Sequence, residues 1–371
     1  MHLPIKICTS QHADEVLNFY QYYANFKNFF LLKKLPTYFD AGDHPDGYLC
    51  YEYHKEKQIW DVKNNIVFID ALKEGWHVLP DRCLSWPKDK HYFILSSADW
   101  DTEDPDYQLP IDYTLLYFPW VLFDTVRTFT SFKHEFYFSD IEYDFNYPKQ
   151  VSFCSMSAVH KNHRDYIIQN LLPQFDKSRY AVKYAGQPYG VNLSNIDFIK
   201  KNSPTEDQNY FHDEGNLIFE SARGKELQVR PSQYMPIDIY NISYYNIVAE
   251  SNHEGSHFFP TEKIWRPILS GIPFVCISTQ NFLKRIRDLG FRTYNTVWDE
   301  SYDSIKNSQQ RLEAVTKLCI ELENFDWNRN KDKLVEIATH NRIQWTKVSK
   351  IFTDSFIGME NSIEQYRNSN I

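Results

Sequence analysis

The chain contains 371 residues, of which 42% are hydrophobic and 24% are charged, and its formal net charge is −9. This composition is that of a globular protein, and because single cores rarely grow far beyond about 250 residues, we expect two domains. The negative net charge argues against a polyanion as the main partner.

The first part of the chain alternates short apolar runs with stretches of helical periodicity. A strand is predicted at 5–8, and apolar residues at helical spacing predict a helix from about 13 to 30. Buried strands, or strands that continue into helices, are predicted at 65–72, 91–97 and 114–123. A polar, proline-containing stretch at 140–150 then interrupts the pattern, and we therefore assign a first domain to residues 1–147.

The second part of the chain again alternates strands with helices. Strands are predicted at 150–158, 180–186, 244–251, 273–278 and 291–294, and helices at 163–175, from Thr261 onward, and at 280–289, 304–324 and 330–348. The polar residues 187–230 are predicted to form an irregular excursion. We assign a second domain to residues 148–348 and expect the final segment, 349–371, to pack back on the first domain.

Strands that alternate with helices at this spacing predict parallel sheets built from βαβ units. The predicted fold class is therefore α/β, with two Rossmann-like parallel-sheet domains facing a cleft. In open parallel sheets, ligands bind beyond the carboxyl ends of the strands. We expect the site in the loops that follow the strands at 5–8, 91–97, 150–158 and 244–251.

Six cysteines occur, none in a C-x-x-C spacing, at positions 8, 50, 83, 154, 276 and 319. Because several lie in apolar runs, we predict that they are reduced core residues of a cytoplasmic protein. The N-terminal sequence MHLPIKICTS lacks a long apolar region, and no run of 18 apolar residues occurs. We therefore predict neither secretion nor a membrane span.

The segment HEGSHFFPTEKIWRP begins with the zinc-protease signature H-E-x-x-H, formed by His253 and His257. That signature directs two histidines toward zinc only on a helix, where positions i and i+4 share a face. Gly255 and Pro260 instead favour a loop. We therefore predict that the two histidines do not form a protease site.

Thr261 begins a predicted helix. It is a favourable N-cap residue, and the sequence EKIWRPILSG after it places apolar residues on one face. A helix N-terminus carries unpaired N–H groups and a partial positive charge that attract phosphate, and Lys263 adds a full charge. The Glu262 carboxylate can accept two hydrogen bonds, which suits the vicinal hydroxyls of a ribose. These residues predict a nucleoside diphosphate site; the alternative is an acidic first turn that only stabilises the helix dipole.

The run YYNIVAESNHEGSHFFPTEKIWRPILSGIPFVCIS, residues 244–278, resembles the C-terminal donor-binding domain of fucosyltransferases and related two-domain (GT-B) glycosyltransferases. Those proteins have an apolar strand that ends in Glu-Asn-Ser, then an aromatic residue and Thr-Glu-Lys, a helix, and a proline-containing strand. The matching residues are Glu250 and Ser251 at the strand end, Phe259 as the aromatic residue, and Thr261, Glu262 and Lys263 as the triplet. The resemblance covers residues 240–305 and, in outline, 150–350.

The resemblance implies that Phe259 stacks on the base, that Glu262 holds the ribose and that Lys263 holds the diphosphate of a nucleotide-sugar donor. It also implies an inverting single displacement. Glu254 and Glu262 have the E-x7-E spacing found in retaining transferases, which leaves retention as the alternative, although we interpret Glu254 as a loop residue. Ser251 stands where the family has asparagine, and Phe259 where it more often has tyrosine, so the resemblance does not identify the sugar.

Arg164 lies at the start of the helix that follows the first strand of the second domain, beside Lys161 and His163. An arginine at this position can bind the donor diphosphate through its forked guanidinium. A solvated helix N-terminus is the alternative.

Asp99-Trp100-Asp101 follows the predicted strand at 91–97 and forms an Asp-x-Asp motif. In the two-domain interpretation, Asp99 or Asp101 is the general base that removes the proton from the acceptor hydroxyl. In single-domain (GT-A) transferases the same motif binds a divalent metal and the diphosphate, since carboxylate oxygens suit Mg²⁺ or Mn²⁺. A solvated acidic loop is a third interpretation, because Glu103, Asp104 and Asp106 follow.

The sequence therefore predicts a hexosyl- or fucosyltransferase-like enzyme that moves a sugar from a nucleotide-diphosphate donor to an acceptor hydroxyl, by inversion and without a metal. The donor is a co-substrate, so no cofactor is expected, and a divalent metal belongs only to the GT-A-like alternative. The expected acceptor is a glycan, a protein or a modified nucleic acid. A non-catalytic nucleotide- or glycan-binding protein is the remaining alternative.

Overall fold

The computed structural model describes residues 37–38, 66–71, 83–85, 88–89, 91–100, 102, 108–123, 125, 142–157, 159–185, 187–191, 217–220, 226–229 and 235–370. The chain divides into two compact units. Unit 1 consists of Met1–Asp124, His257–Phe259 and Lys347–Ile371, and unit 2 of Thr125–Ser256 and Pro260–Thr346. The strand predicted at 5–8 and the helix predicted at 13–30 lie outside the described residues.

Unit 1 contains a four-stranded parallel sheet. Its strands, in spatial order, are β1 (Thr37–Tyr38), β2 (Ile66–Ala71), β3 (His91–Ser96) and β4 (Asp112–Tyr117). All six residues of β3 are buried, as in parallel strands that are covered on both faces of the sheet. The strands predicted at 65–72 and 91–97 are confirmed, and the strand predicted at 114–123 begins earlier, at Asp112, and ends at Tyr117.

Unit 2 contains a five-stranded sheet and a separate pair of strands. The sheet has the spatial order β11 (Phe274–Ile277), β10 (Ser243–Ala249), β5 (Val151–Ser157), β6 (Tyr180–Tyr184) and β7 (Gln187–Gly190). Strand β7 is antiparallel to β6, and the other four strands are parallel. The predictions of strands at 150–158, 180–186, 244–251 and 273–278 are therefore confirmed.

The range 187–230, predicted as an irregular excursion, contains three short strands. Besides β7, it includes β8 (Leu217–Glu220) and β9 (Glu226–Val229), which pair with each other in antiparallel fashion. Strand β7 includes Pro188, which has no N–H to donate and is tolerated because β7 lies at the edge of its sheet.

The prediction of a strand at 291–294 is wrong, because these residues form an irregular segment. The N–H of Arg292 donates to Asn341 Oδ1 at 2.7 Å, and the N–H of Tyr294 donates to Glu300 Oε1 at 2.7 Å. The backbone thus bonds to side chains instead of to a neighbouring strand.

The helices are α1 (Asn162–Tyr166), α2 (Ile237–Asn241), α3 (Glu262–Ser270), α4 (Phe282–Asp288), α5 (Ser308–Glu321), α6 (Trp327–Trp345) and α7 (Val348–Asn370). Helix α1 continues through a π turn, Ile167–Leu171, and a 3-10 turn, Leu172–Gln174. The helical segment predicted at 163–175 is therefore confirmed. Helices α3 to α6 confirm the other helix predictions, with boundaries shifted by a few residues.

Helix α3 lies in the core of unit 2. All residues from 264 to 270 are buried, and the ring of Trp265 lies 6.4 Å from that of Trp345 on α6. Gly271 ends the helix with a φ of 88°, and a Cβ at this position would lie 2.9 Å from the Cβ of Ala338. The backbone conformation and the close approach of α6 both require glycine here.

Helix α7 belongs to unit 1, where it packs against β4. The ring of Phe352 lies 5.5 Å from that of Phe123, and Tyr366 stacks on His91 with ring centroids 3.8 Å apart. These aromatic contacts hold the helix at both of its ends.

Residues 142–150 belong to unit 2, and the division between the units falls after Asp124, earlier than residue 147. The N–H of Tyr143 donates to Ser270 O at 2.8 Å, and its hydroxyl donates to Ser243 O at 2.7 Å. These bonds attach the segment to α3 and β10.

The described cysteines Cys83, Cys154, Cys276 and Cys319 are buried and form no disulfide. In the described part of the chain, no helix combines the length and the apolar character that crossing a bilayer requires.

The spatial order of unit 2's sheet reverses between β5 and β10. From β5 the chain proceeds to β6 on one side, whereas β10 and β11 lie on the other side. In doubly wound sheets, the loops that leave two such strands at their carboxyl ends diverge and form a crevice that binds ligands. A ligand site is therefore expected in the loops after β5 and β10.

Candidate functional site

The loops after β5 and β10 meet at the carboxyl edge of unit 2's sheet. Lys161, in the loop after β5, donates from Nζ to Ser251 O at 2.7 Å, immediately beyond β10. His163 donates from Nε2 to Glu250 O at 2.7 Å. The chain segments that follow β5 and β10, the strands on either side of the topological reversal, are thus joined by direct hydrogen bonds.

Glu250 is completely buried at the end of β10, and its carboxylate bonds to the protein itself. It accepts from the N–H of Ser251 at 3.1 Å, from the N–H of Thr261 at 3.1 Å and from Thr261 Oγ1 at 2.5 Å. Burial raises the pKa of Glu250. These bonds fix the two ends of the loop 251–260 to each other, so they support the start of α3. The predicted contact of Glu250 and Ser251 with a donor stays a prediction.

The start of α3 carries the three residues of the predicted triplet. Thr261 is the N-cap, as predicted, and its Oγ1 accepts from the N–H of Lys263 at 3.4 Å and from Lys263 Nζ at 3.3 Å. Lys263 Nζ also donates to Glu262 Oε1 at 2.8 Å, and Arg266 lies 4.0 Å from the same oxygen. The structure therefore brings a hydroxyl, a carboxylate and an ammonium together at a helix N-terminus.

The Glu262 carboxylate is ionised throughout the neutral range. Burial raises its pKa, but Lys263 and Arg266 outweigh burial and bring the pKa to about 2. About a fifth of the side chain is exposed, and among the described residues none donates to its Oε2. This oxygen can accept a hydrogen bond from a ligand hydroxyl.

Arg164 is buried under the same edge. Its guanidinium donates to Val159 O at 3.1 Å, to Glu250 O at 3.1 Å and to Ala249 O at 3.3 Å, so it connects the ends of β5 and β10. Its Nε is buried, and its N–H has no acceptor among the described residues. Burial lowers the pKa of Arg164, against the attraction of Glu250 and Glu262. A diphosphate clamp by Arg164 stays a prediction, since the bonds that the structure shows go to carbonyl groups.

The segment from Ser251 to Pro260 is a loop, as the sequence predicts. The rings of His253 and His163 lie 4.5 Å apart, and burial lowers the pKa of His163 to about 3 and also lowers that of His253. Glu254 is exposed on the loop. In the residues that the structure describes, no three His, Cys, Asp or Glu side chains are grouped as a metal site would require.

Phe259 lies in a hydrophobic cluster of unit 1 and is 5% exposed. Its neighbours there are buried or partly buried apolar residues, including Tyr92, Ile94 and Trp100. Stacking on a base needs an accessible ring face, so the surroundings of Phe259 give its predicted role no support.

Asp99 forms an antiparallel bridge with Phe258 in unit 1. The N–H of Asp99 donates to Phe258 O at 2.9 Å, and the N–H of Phe258 donates to Asp99 O at 2.7 Å. Asp101, Glu103, Asp104 and Asp106 lie outside the described residues. The roles of Asp99 and Asp101 as a general base or as metal ligands therefore stay predictions.

Arg311 is a structural residue of this edge that sequence reasoning missed. It is buried on α5 and donates to His253 O, to Ser278 O at 2.8 Å and to Ile305 O. It thereby holds the loops after β10 and β11. No sequence pattern indicates this role, because the carbonyl groups of His253 and Ser278 lie 58 and 33 positions from Arg311 in the chain.

A second group missed by sequence reasoning consists of His160, Asp165 and Tyr184. His160 Nδ1 lies 3.2 Å from Asp165 Oδ1, and the Tyr184 hydroxyl donates to the same oxygen. His160 and Asp165 are five residues apart, but Tyr184 joins them only because β6 lies beside β5.

No protein-family model matches the sequence, and no curated protein matches it. Among solved structures, the chain is similar to a GtfA/B complex, with 13% sequence identity and a TM-score of 0.30. The similarity covers 81% of this chain and 60% of that chain. This chain thus spans less than two thirds of that protein, and a TM-score this low does not establish a shared fold.

Proposed function

We propose that the protein transfers a sugar from a nucleoside-diphosphate donor to an acceptor hydroxyl. The observation that supports this most directly is the arrangement at the start of α3, where Lys263 and the ionised Glu262 lie at the carboxyl edge of a parallel sheet. The edge is that of the topological reversal, where doubly wound sheets bind nucleotides.

Each part of the donor has a suitable partner at this edge. The N–H groups of the first turn of α3 and the Lys263 ammonium attract the diphosphate. The Glu262 carboxylate accepts from the ribose hydroxyls through the oxygen that the described residues leave open. The resemblance to fucosyltransferase-like donor domains assigns the same two roles to these residues.

The reaction is a displacement at the anomeric carbon of the donor sugar. The acceptor oxygen forms a bond to that carbon while its proton passes to a base, and the bond from the carbon to the diphosphate oxygen breaks with its electron pair. Lys263 and the N-terminus of α3 stabilise the charge that develops on the leaving diphosphate. The fucosyltransferase likeness implies inversion at the anomeric carbon.

A turnover assay with a panel of UDP- and GDP-linked sugars tests this proposal. We expect release of the nucleoside diphosphate from one donor and an inverted product by NMR. Lys263→Met should reduce the rate by roughly 100-fold or more, which is the usual effect of removing a group that stabilises transition-state charge. Lys317→Met is the control, because Lys317 is 80% exposed on α5.

The possible outcomes separate the proposal from its alternatives. Binding of a nucleoside diphosphate without turnover of any sugar conjugate indicates a non-catalytic binding protein. A product with retained configuration at the anomeric carbon overturns the single displacement, but it is consistent with sugar transfer. Absence of both binding and turnover across the panel overturns the proposed function.

A further inference from the structure

His160, Asp165 and Tyr184 come from three elements at the carboxyl edge of unit 2's sheet. His160 lies in the loop after β5, Asp165 on α1, and Tyr184 at the last position of β6. His160 Nδ1 lies 3.2 Å from Asp165 Oδ1, which also accepts from the Tyr184 hydroxyl. That hydroxyl accepts in turn from the N–H of Lys161 at 3.3 Å. Asp165 is therefore held in place by a buried tyrosine of the sheet.

The hydrogen bonds determine which nitrogen of His160 carries the proton. The bond from Tyr184, together with His160, lowers the pKa of Asp165, so this carboxylate is ionised at neutral pH and can only accept. Burial and the bond to Asp165 raise the pKa of Tyr184 to about 12, so its hydroxyl keeps its proton. Neutral His160 must therefore donate from Nδ1 to Asp165, which leaves the lone pair on Nε2.

Nε2 of His160 is accessible to a ligand. The side chain is 72% exposed, and in the described part of the chain nothing bonds to Nε2. A histidine that is oriented through Nδ1 by a fixed carboxylate and presents a free Nε2 has the geometry of a general base.

The position of His160 connects it to the proposed donor site. Lys161, the next residue, donates to Ser251 O, and Ser251 follows the Glu250 whose carboxylate holds the N-cap of α3. His160 therefore lies in the loop that is bonded to the start of the donor-binding segment, at the reversal between β5 and β10.

We propose that His160 is the general base that deprotonates the acceptor hydroxyl, with Asp165 and Tyr184 as positioning residues. This inference rests on the proposed function. The acceptor proton passes to Nε2 as the acceptor oxygen bonds to the anomeric carbon and the diphosphate leaves with the electron pair of its bond. His160 then returns the proton to solvent. The assignment competes with the sequence-based candidates Asp99 and Asp101.

The first test measures release of nucleoside diphosphate from the panel of UDP- and GDP-sugars, with water as the acceptor. His160→Gln should slow release by about 100-fold or more, the usual contribution of a general base. Binding of UDP and GDP should change less than twofold, because His160 does not contact the donor. Added imidazole should restore part of the rate in His160→Ala. The control is His340→Gln, the same change at a partly exposed histidine of α6.

The positioning residues are tested by measuring kcat and KM separately. Asp165→Asn should lower kcat with little change in the KM for the donor, because His160 loses the carboxylate that orients its ring while the donor site keeps its residues. Among the described residues, Asp165 and Tyr184 face His160, and Lys161 is next to it in the chain. Tyr184→Phe should give a smaller effect in the same direction. An unchanged kcat in Asp165→Asn, or a loss that appears only in KM, would contradict the positioning role.

A measurement without substrate gives an independent test. The ¹⁵N chemical shifts of His160 at high pH should identify the Nδ1–H tautomer, and an Nε2–H tautomer overturns the inference. If the unsubstituted protein turns over a donor and His160→Gln keeps its full rate, the role of His160 is wrong but the proposed function is not. A large loss of rate in Asp99→Asn would then identify Asp99 as the base. If the unsubstituted protein binds no nucleoside diphosphate, the proposed function is wrong and the inference with it.

Discussion

Glu250 and Glu262 show how neighbours decide what a carboxylate does. Burial raises the pKa of Glu250, and its oxygens bond to Ser251 and Thr261, whereas Lys263 and Arg266 overcome burial and lower the pKa of Glu262 to about 2. The sequence indicated Glu262 as a candidate binding residue, because Glu262 follows a predicted N-cap. The sequence could not indicate the hydrogen-bond partners of Glu250, because these partners depend on the path of the loop between Glu250 and Glu262.

Replacement of Glu250 by glutamine tests its structural role. Each of its oxygens accepts from a backbone N–H, that of Thr261 on one side and that of Ser251 on the other. An amide can accept on one side only, so one buried donor loses its partner at a cost of roughly 1–3 kcal/mol. Urea denaturation should show this loss in Glu250→Gln. Glu254→Gln, the same change at an exposed position of the same loop, should have no effect; equal effects of the two changes would contradict the account.

Asp238 makes the stability of the protein depend on pH. It is 5% exposed on α2, its Oδ2 has no partner in the described part of the chain, and burial raises its pKa to about 6. The folded state prefers the protonated acid. The stability that protonated Asp238 contributes to the folded state is therefore fully present below about pH 4, the unfolded pKa, and is lost as the pH rises through about 6.

We therefore expect Asp238→Asn to be more stable than the unsubstituted protein at pH 8, by on the order of 2 kcal/mol. The difference should disappear near pH 4. Denaturation at several pH values measures it, with the exposed Asp288→Asn as the control. A difference that stays the same from pH 4 to pH 8 would show that the pKa of Asp238 is equal in the folded and unfolded states, and it would contradict the effect of burial on this residue.

At the scale of elements, the sequence predicted the buried strands and helices α3 to α6, but it did not predict that the final segment forms helix α7. Strands such as β3 and β10 consist mostly of apolar residues, and α3 begins at an N-cap and ends at glycine. Strands β8 and β9 were missed, since four residues are too few to show a period. The sequence FRTY at 291–294 alternates like a strand, but remote side chains take up its backbone donors.

The contact between α3 and α6 makes Gly271 hard to replace. A methyl group at Gly271 would approach Ala338 to 2.9 Å, and the φ of 88° is unfavourable for alanine. Gly271→Ala should lower the free energy of unfolding by roughly 1–3 kcal/mol. Adding Ala338→Gly to this variant removes the clash but not the unfavourable φ, so it should recover only the part of the lost stability that the clash causes.

Gly358→Ala is the matched comparison for that substitution. A Cβ at Gly358, within α7, meets no atom within 4 Å, so alanine should stabilise the helix by roughly 0.5–1 kcal/mol. Thermal denaturation of the two variants should shift in opposite directions. A shift in the same direction would contradict the packing described for α3 and α6.

At the scale of the whole molecule, net charge and local charge differ. The chain carries a net charge of −9, yet Lys161, Arg164, Lys263 and Arg266 gather at the carboxyl edge of unit 2's sheet. A sum over the sequence conceals such a cluster, because its members lie up to 105 positions apart and only the fold brings them together.

This cluster leads to a prediction about metal dependence. If Lys263 and the N-terminus of α3 neutralise the leaving diphosphate, turnover of the UDP- or GDP-sugar should be unchanged by EDTA. Turnover that stops with EDTA and returns with Mn²⁺ or Mg²⁺ would favour the Asp-x-Asp alternative at Asp99 and Asp101.

The most direct test of the central claim is a thermal-shift titration with UDP and GDP. A ligand that binds only the folded state raises the unfolding temperature as its concentration rises, by an amount equivalent to about 2.7 kcal/mol at 100 times Kd. We predict such a rise for one of the two nucleotides, its loss in Glu262→Ala and Lys263→Met, and its retention in Lys317→Met. No rise with either nucleotide, or a rise that persists in Glu262→Ala and Lys263→Met, would contradict the claim that the start of α3 binds a nucleoside diphosphate.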